Sequence, residues 1–176
     1  MNAPKTTKRR NRTGGGSAKA RRSAARLAAV QALYQIEQGG GTYEAVRAEF
    51  IKLRLGHEVD GISYVAAEPL LFSSIVRGVG ARINELDLAI SAALDPRLPL
   101  ERLELLLRAI LRAGAWELLA NIEIDAPIII SDYVAVAHAF YAERETGLIN
   151  GVLDTLAGRL RRPTAPTACT IKATAE

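Results

Sequence analysis

Lys19, Arg22 and Arg26 fall at i, i+3 and i+7, so on a helix they project from adjoining turns along one edge. Arg21 sits about 100° round from Arg22 on the same helix. Ammonium and guanidinium groups at this spacing can follow a phosphate backbone. Each Arg can also bond bidentately to a phosphate or to a guanine edge. Tyr34 lies two turns beyond Arg26. An aromatic ring beside a row of Arg is a common way to hold the unstacked bases of single-stranded RNA. The same Tyr is at core spacing from Leu27 and Val30, and a Tyr can bury its ring edge while exposing its hydroxyl.

Residues for catalysis form no comparable pattern. His57 and His138 have no Cys, Ser or carboxylate partner in a recognisable catalytic arrangement. Cys169 lies in a stretch of Thr, Ala and Pro, without the electropositive surroundings that activate a thiol. There is no GxGxxG, GxxxxGK[ST] or HExxH motif, and no apolar strand precedes Gly14-Gly15-Gly16 to make it a phosphate loop. The chain reads as a non-enzymatic binding module with no cofactor and no metal site.

The charge points the same way. Lys5, Lys8, Arg9, Arg10, Arg12, Lys19, Arg21 and Arg22 precede the first acid, Glu37. Beyond them, fifteen basic side chains face nineteen acidic ones, so the net charge of +4 conceals a basic arm on a slightly acidic body. Such an arm suits a polyanion. A solubilising tail and an organellar transit peptide are rival readings of the arm. The second conflicts with basic residues running directly into a helix that the core needs.

Behind these residues stand 176 positions, 49% of them apolar, enough for one domain with its own core. A single Cys cannot form an internal disulfide. No apolar run approaches the roughly 18 residues of a membrane span, and no secretory apolar segment follows the basic start. A cytoplasmic protein with no membrane contact is expected.

Apolar spacing is helical throughout the body. The composition predicts a disordered basic arm over 1–18, a folded body over 19–162 and a flexible tail over 163–176. A first helix carries Leu27, Val30 and Tyr34 and stops at Gly39-Gly40-Gly41. A shorter second helix follows Thr42 as N-cap, with Val46, Phe50 and Leu53 on one face. Residues 55–67 read as a loop. Ile75, Val79, Leu86 and Ile90 predict one long third helix from Pro69 to about Asp95, closed by Pro96 and Pro99. Leu103, Leu106, Leu107, Ile110, Leu111 and Leu118 mark a fourth, with Leu106, Ile110 and Leu118 as core. Glu104, Arg108 and Arg112 form an i, i+4 ladder beside that stripe. A fifth helix over about 128–142 takes in Tyr141, and a last one carries Ile149, Val152, Leu153, Leu156 and Leu160. The fold class is all-α, a compact bundle of two packed helical halves, about 19–95 and 99–162, divided at the prolines.

Four stretches carry a resemblance: RLAAVQALY from Arg26, RAILRAGAWELL from Arg108, DAPIIISDYVAVAHAF from Asp125 and INGVLDTLAGRLR from Ile149. Together, over about residues 20–162, they resemble the NusB family of bacterial transcription antitermination factors. The resemblance implies an all-helical protein with two subdomains that pairs with NusE, a protein of the small ribosomal subunit. The pair binds single-stranded boxA RNA of ribosomal RNA leaders and joins other Nus factors on RNA polymerase, supporting ribosomal RNA transcription. It further implies RNA contact at the basic start of the first helix (Lys19, Arg21, Arg22, Arg26), at Tyr34, and near Leu148 and Asn150. NusE docking is implied on the C-terminal half, coarsely at Arg108, Arg112 and Glu117. Leu148 stands where the family often has Phe, and Leu107 where a polar residue is more usual. Arg144 replaces a common acidic residue and would add RNA affinity. A homodimer stays open. So do two other classes: the helical module of an RNA cytosine methyltransferase and a purely structural interaction module.

Overall fold

The computed structural model describes residues 16–55 and 65–161. The arm over 1–15, His57, and the C-terminal stretch with Cys169 lie outside the described residues. Within them the ordered elements are helices: α1 (Ala18–Glu37), α2 (Tyr43–Leu53), α3 (Pro69–Ala81), α4 (Ile83–Ala93), a 3-10 turn (Leu100–Arg102), α5 (Leu105–Ala120), α6 (Ala126–His138) and α7 (Glu143–Leu160). None is long and apolar enough to cross a membrane.

Local chemistry accounts for the boundaries. The Ser17 hydroxyl accepts the Ala20 N–H at 3.2 Å and opens α1. Gly39 and Gly41 take φ of +87° and +120°, a region costly for other residues, and turn the chain out of α1. The Thr42 hydroxyl accepts the Ala45 N–H at 3.2 Å, as its position predicts. At the far end, the Arg161 guanidinium donates to the carbonyls of Leu118, Asn121 and Ile124, satisfying acceptors at the end of α5 and in the connection that follows it.

α5 is the central strut. Its residues from Ala109 to Leu118 are buried all round, and it packs against α1, α3, α4, α6 and α7. One continuous apolar cluster therefore runs through both halves. Close approach depends on small residues: a Cβ at Gly78 would lie 1.9 Å from Nε1 of Trp116. Phe50 of α2 stacks on Phe72 of α3, ring centroids 5.7 Å apart.

Three elements differ from expectation. The long third helix is two, because Arg82 leaves the helical region at φ −127°, ψ 23°. The break lets α3 pack on α1 and α2 while α4 turns to α5 and α7. The fifth helix ends at His138, placing Phe140 and Tyr141 in the turn before α7, and α7 begins as early as Glu143. The Glu104–Arg108–Arg112 ladder does not form. Glu104 instead accepts the Tyr141 hydroxyl at 3.0 Å, and both Arg side chains reach Glu37 on α1.

Candidate RNA-binding surface

The charged residues of α1 divide between surface and interior. Lys19, Arg21 and Arg22 are exposed in its first two turns. Arg22 lies 3.7 Å from Glu68 across a part-exposed pair, which leaves the guanidinium largely in water. The backbone fixes this corner, since the Glu68 N–H donates to the Arg21 carbonyl at 3.1 Å.

Arg26 does not belong to that surface; the expectation that it meets RNA is corrected. It is 2% exposed. Its Nε donates to Glu117 at 2.9 Å, its Nη2 to the same carboxylate, and its Nη1 to Asp132. Tyr133 donates its hydroxyl to Glu117 at 2.9 Å and Asn121 its amide at 3.3 Å, so the buried carboxylate is fully engaged. Burial alone would lower the Arg26 pKa, but Glu117 and Asp132 outweigh it and hold the guanidinium firmly charged. The same burial, with the Glu117 charge next, pushes the Tyr133 phenol well above its ordinary value. This cluster joins α1, α5 and α6 and does not itself face outward.

The coarse partner surface is corrected for the same reason. Glu117 has no exposed area and Arg112 is 7% exposed. Arg112 grips Asp87 through two bonds of 2.7 and 2.8 Å and reaches Glu37, tying α5 to α4 and α1. Arg108 is mostly buried and pairs with Glu37 at 3.2 Å. None of the three is available for docking, because each compensates an internal charge.

The remaining residues gather elsewhere. Tyr34 is 37% exposed and lines an open hollow of about 540 Å³ with Glu104, Leu105, Leu106, Phe140 and Tyr141. Its hydroxyl accepts from the Gln38 amide at 2.7 Å. Leu106, expected in the core with Ile110 and Leu118, forms part of this hollow and is only half-buried; the other two are fully buried. Arg144 and Leu148, at i, i+4 on the first turns of α7, line a second hollow of about 460 Å³ with Arg102 and Glu104. Glu104 is the ridge between the two. Asn150 is exposed on another side of α7 and lines neither. From Arg22 to Tyr34 the rise along α1 is about 18 Å and the rotation about 120°, so the basic turn and the aromatic hollow lie apart. The apolar period carries the fifth helix on through Phe140 and Tyr141, which hides their place in the turn. The acidic pair Glu143 and Glu145, typical of a helix's first turn, was the available signal.

Among the described residues no group of His, Cys, Asp and Glu could hold a metal ion. The surface offers cations, rings and, among them, the carboxylates of Glu68, Glu104 and Glu145, a set suited to a charged polymer with unstacked bases.

Comparisons with known proteins agree on one relationship. The model of the NusB family matches residues 23–158. A transcription antitermination protein NusB of Brucella ovis is 51% identical over 137 residues, covering 78% of this chain and 80% of its own length. Another, from a Bradyrhizobium strain, is 47% identical over 141 residues, covering 80% of this chain and 84% of its own. Among solved structures, T. maritima NusB superposes with a TM-score of 0.65 at 25% identity, over 78% of this chain and 90% of that one. A structure described as antitermination factors NusB and NusE in complex with double-stranded RNA shares the fold, with a TM-score of 0.61 at 22% identity over 78% of this chain and 96% of that one. By the extent of the family match and the identity to these relatives, this chain belongs to the NusB family.

Proposed function

We propose that this protein is a transcription antitermination factor that, together with NusE, binds single-stranded boxA-type RNA of ribosomal RNA leaders. Through that complex it meets other Nus factors and RNA polymerase and supports ribosomal RNA transcription. Family membership supports this reading. The observation in the fold that carries it is the exposed basic turn of Lys19, Arg21 and Arg22, which continues directly from an acid-free arm. The work is binding, not catalysis. Phosphate contacts from the arm and the first turns of α1 supply affinity and orientation, while base contacts supply sequence preference. With few exposed rings of its own, the chain binds RNA modestly alone and tightly once a partner extends the surface.

The test is a fluorescence-anisotropy titration of a boxA-like RNA and a scrambled RNA of equal length, each with and without NusE. NusE should strengthen binding to the boxA-like strand only. Equal affinity for both strands, unchanged by NusE, would reduce the basic arm to a nonspecific tail.

A further inference from the structure

The hollow between the end of α1, the start of α5 and the turn before α7 has an unusual composition. Three rings meet there, Tyr34, Phe140 and Tyr141, with Leu105 and Leu106 beside them. Phe140 is 45% exposed, although a turn residue could have faced inward. No basic side chain lines this hollow, so it is not built for phosphate. Its one charged group is the Glu104 carboxylate, at the N-cap of α5. One oxygen, Oε2, accepts the Tyr141 hydroxyl at 3.0 Å, and among the described residues Oε1 accepts no hydrogen bond. Burial and the Glu104 charge both raise the Tyr141 phenol, so it stays protonated as a donor and holds the carboxylate in place. Across the ridge, the neighbouring hollow is lined by Arg102 and Arg144 together with Glu145 and the other side of Glu104.

We propose that this hollow is a base-binding subsite and that Glu104 makes it selective for guanine. The inference rests on the RNA-binding reading above and deepens it. A strand with its phosphates at Arg102 and Arg144 can turn one unstacked base into the aromatic hollow. An ionised carboxylate only accepts hydrogen bonds. Guanine is the base whose Watson–Crick edge carries two adjacent donors, N1–H and the N2 amino group, and these match two carboxylate oxygens in parallel. Adenine and cytosine set a ring-nitrogen lone pair beside their amino group and turn it toward the carboxylate. Uracil has one N–H between two carbonyl acceptors. A carboxylate also repels phosphate, so the aromatic hollow, lined by no cation, admits a base and not the backbone, whereas Arg102 and Arg144 offset the acids in the hollow beside it.

The experiment compares the strands r(UUG)4, r(UUI)4 and r(UUA)4 by anisotropy with the full chain; inosine keeps N1–H and lacks the N2 amino group. The chain should bind r(UUG)4 about tenfold tighter than r(UUA)4, with r(UUI)4 between them. Glu104→Gln should bring the three within about twofold. Phe140→Ala should weaken all three together by about fivefold or more, through lost stacking. Tyr141→Phe keeps the ring and Glu104 but removes the bond that holds the carboxylate, so it should reduce the guanine preference while binding of r(UUA)4 stays within about twofold. Equal binding of the three strands by the unaltered chain would overturn the subsite. So would a guanine preference that survives Glu104→Gln. If the three strands bind equally yet binding falls when Lys19, Arg21 and Arg22 become Ala, the subsite fails and the RNA-binding reading stands. No binding of any strand, with or without NusE, would remove both.

Discussion

Replacing Arg26 separates an internal ion pair from a nucleic-acid contact. The guanidinium is 2% exposed and Glu117 is fully buried, so Arg26→Met leaves a carboxylate in the interior with only Tyr133 and Asn121 as donors. Breaking a buried pair from one side costs about 3–5 kcal/mol. Asp132 adds little to this, being part-exposed and able to recover water. For a folded body of this size, about 2–4 °C per kcal/mol converts the loss to a fall in Tm of roughly 6–20 °C. Urea unfolding followed by circular dichroism at pH 7 reads the free energy directly. Adding Glu117→Gln should restore more than half of the loss, since the uncompensated charge disappears. RNA affinity at low temperature, where the variant is still folded, should stay within about twofold. A loss below about 1 kcal/mol together with a clear loss of RNA binding would refute the reasoning and return Arg26 to the surface.

Other variants test the rest of the account. Changing Lys19, Arg21 and Arg22 together to Ala should lower the slope of log affinity against log salt by about 2, at roughly 0.7 per lost single-strand phosphate contact. Its unfolding free energy should move by less than about 1 kcal/mol, because all three are exposed. Gly78→Ala drives a Cβ into the rigid ring of Trp116 and should cost about 2 kcal/mol or more. Gly151→Ala, with nothing within 4 Å, should be neutral or stabilising by up to about 1 kcal/mol; both are read by urea unfolding. Tyr133 gives a pH signature. Its folded pKa is raised, so its stabilisation is complete below the unfolded value of about 10 and is lost as pH climbs beyond it. Between pH 10 and 11.5 the Tyr133→Phe variant, less stable at neutral pH, should lose stability with a shallower slope than the unaltered chain.

Most of the helices were legible because apolar period and punctuation agree. Thr42, Pro69 and the glycines at 39–41 mark ends that the backbone then adopts. The break at Arg82 was hidden because Val79 and Leu86 are one heptad apart, so a straight helix keeps the stripe intact. Only the packing of α4 against α5 and α7 demands the bend. Arg26 was misread for a related reason. Its spacing from Lys19 and Arg22 suits a basic edge, yet its acceptors lie 91 and 106 residues away, at a distance no local pattern reaches. A clue was present: Arg26 is in phase with the buried Val30 and Leu33, and Glu117 sits within the apolar run of α5. An Arg and a Glu on two core stripes invite pairing. The aromatic hollow was equally non-local, since Tyr34, Glu104 and Tyr141 converge from three distant segments.

Zero-length ultraviolet cross-linking of a boxA-like RNA to the chain with NusE present, mapped by mass spectrometry, tests the central claim most directly. Adducts are expected in the first turns of α1, around Lys19 to Arg22, and in the turn before α7, at Phe140 and Tyr141. Adducts confined to the outer face of α4, with neither of these segments labelled, would contradict it.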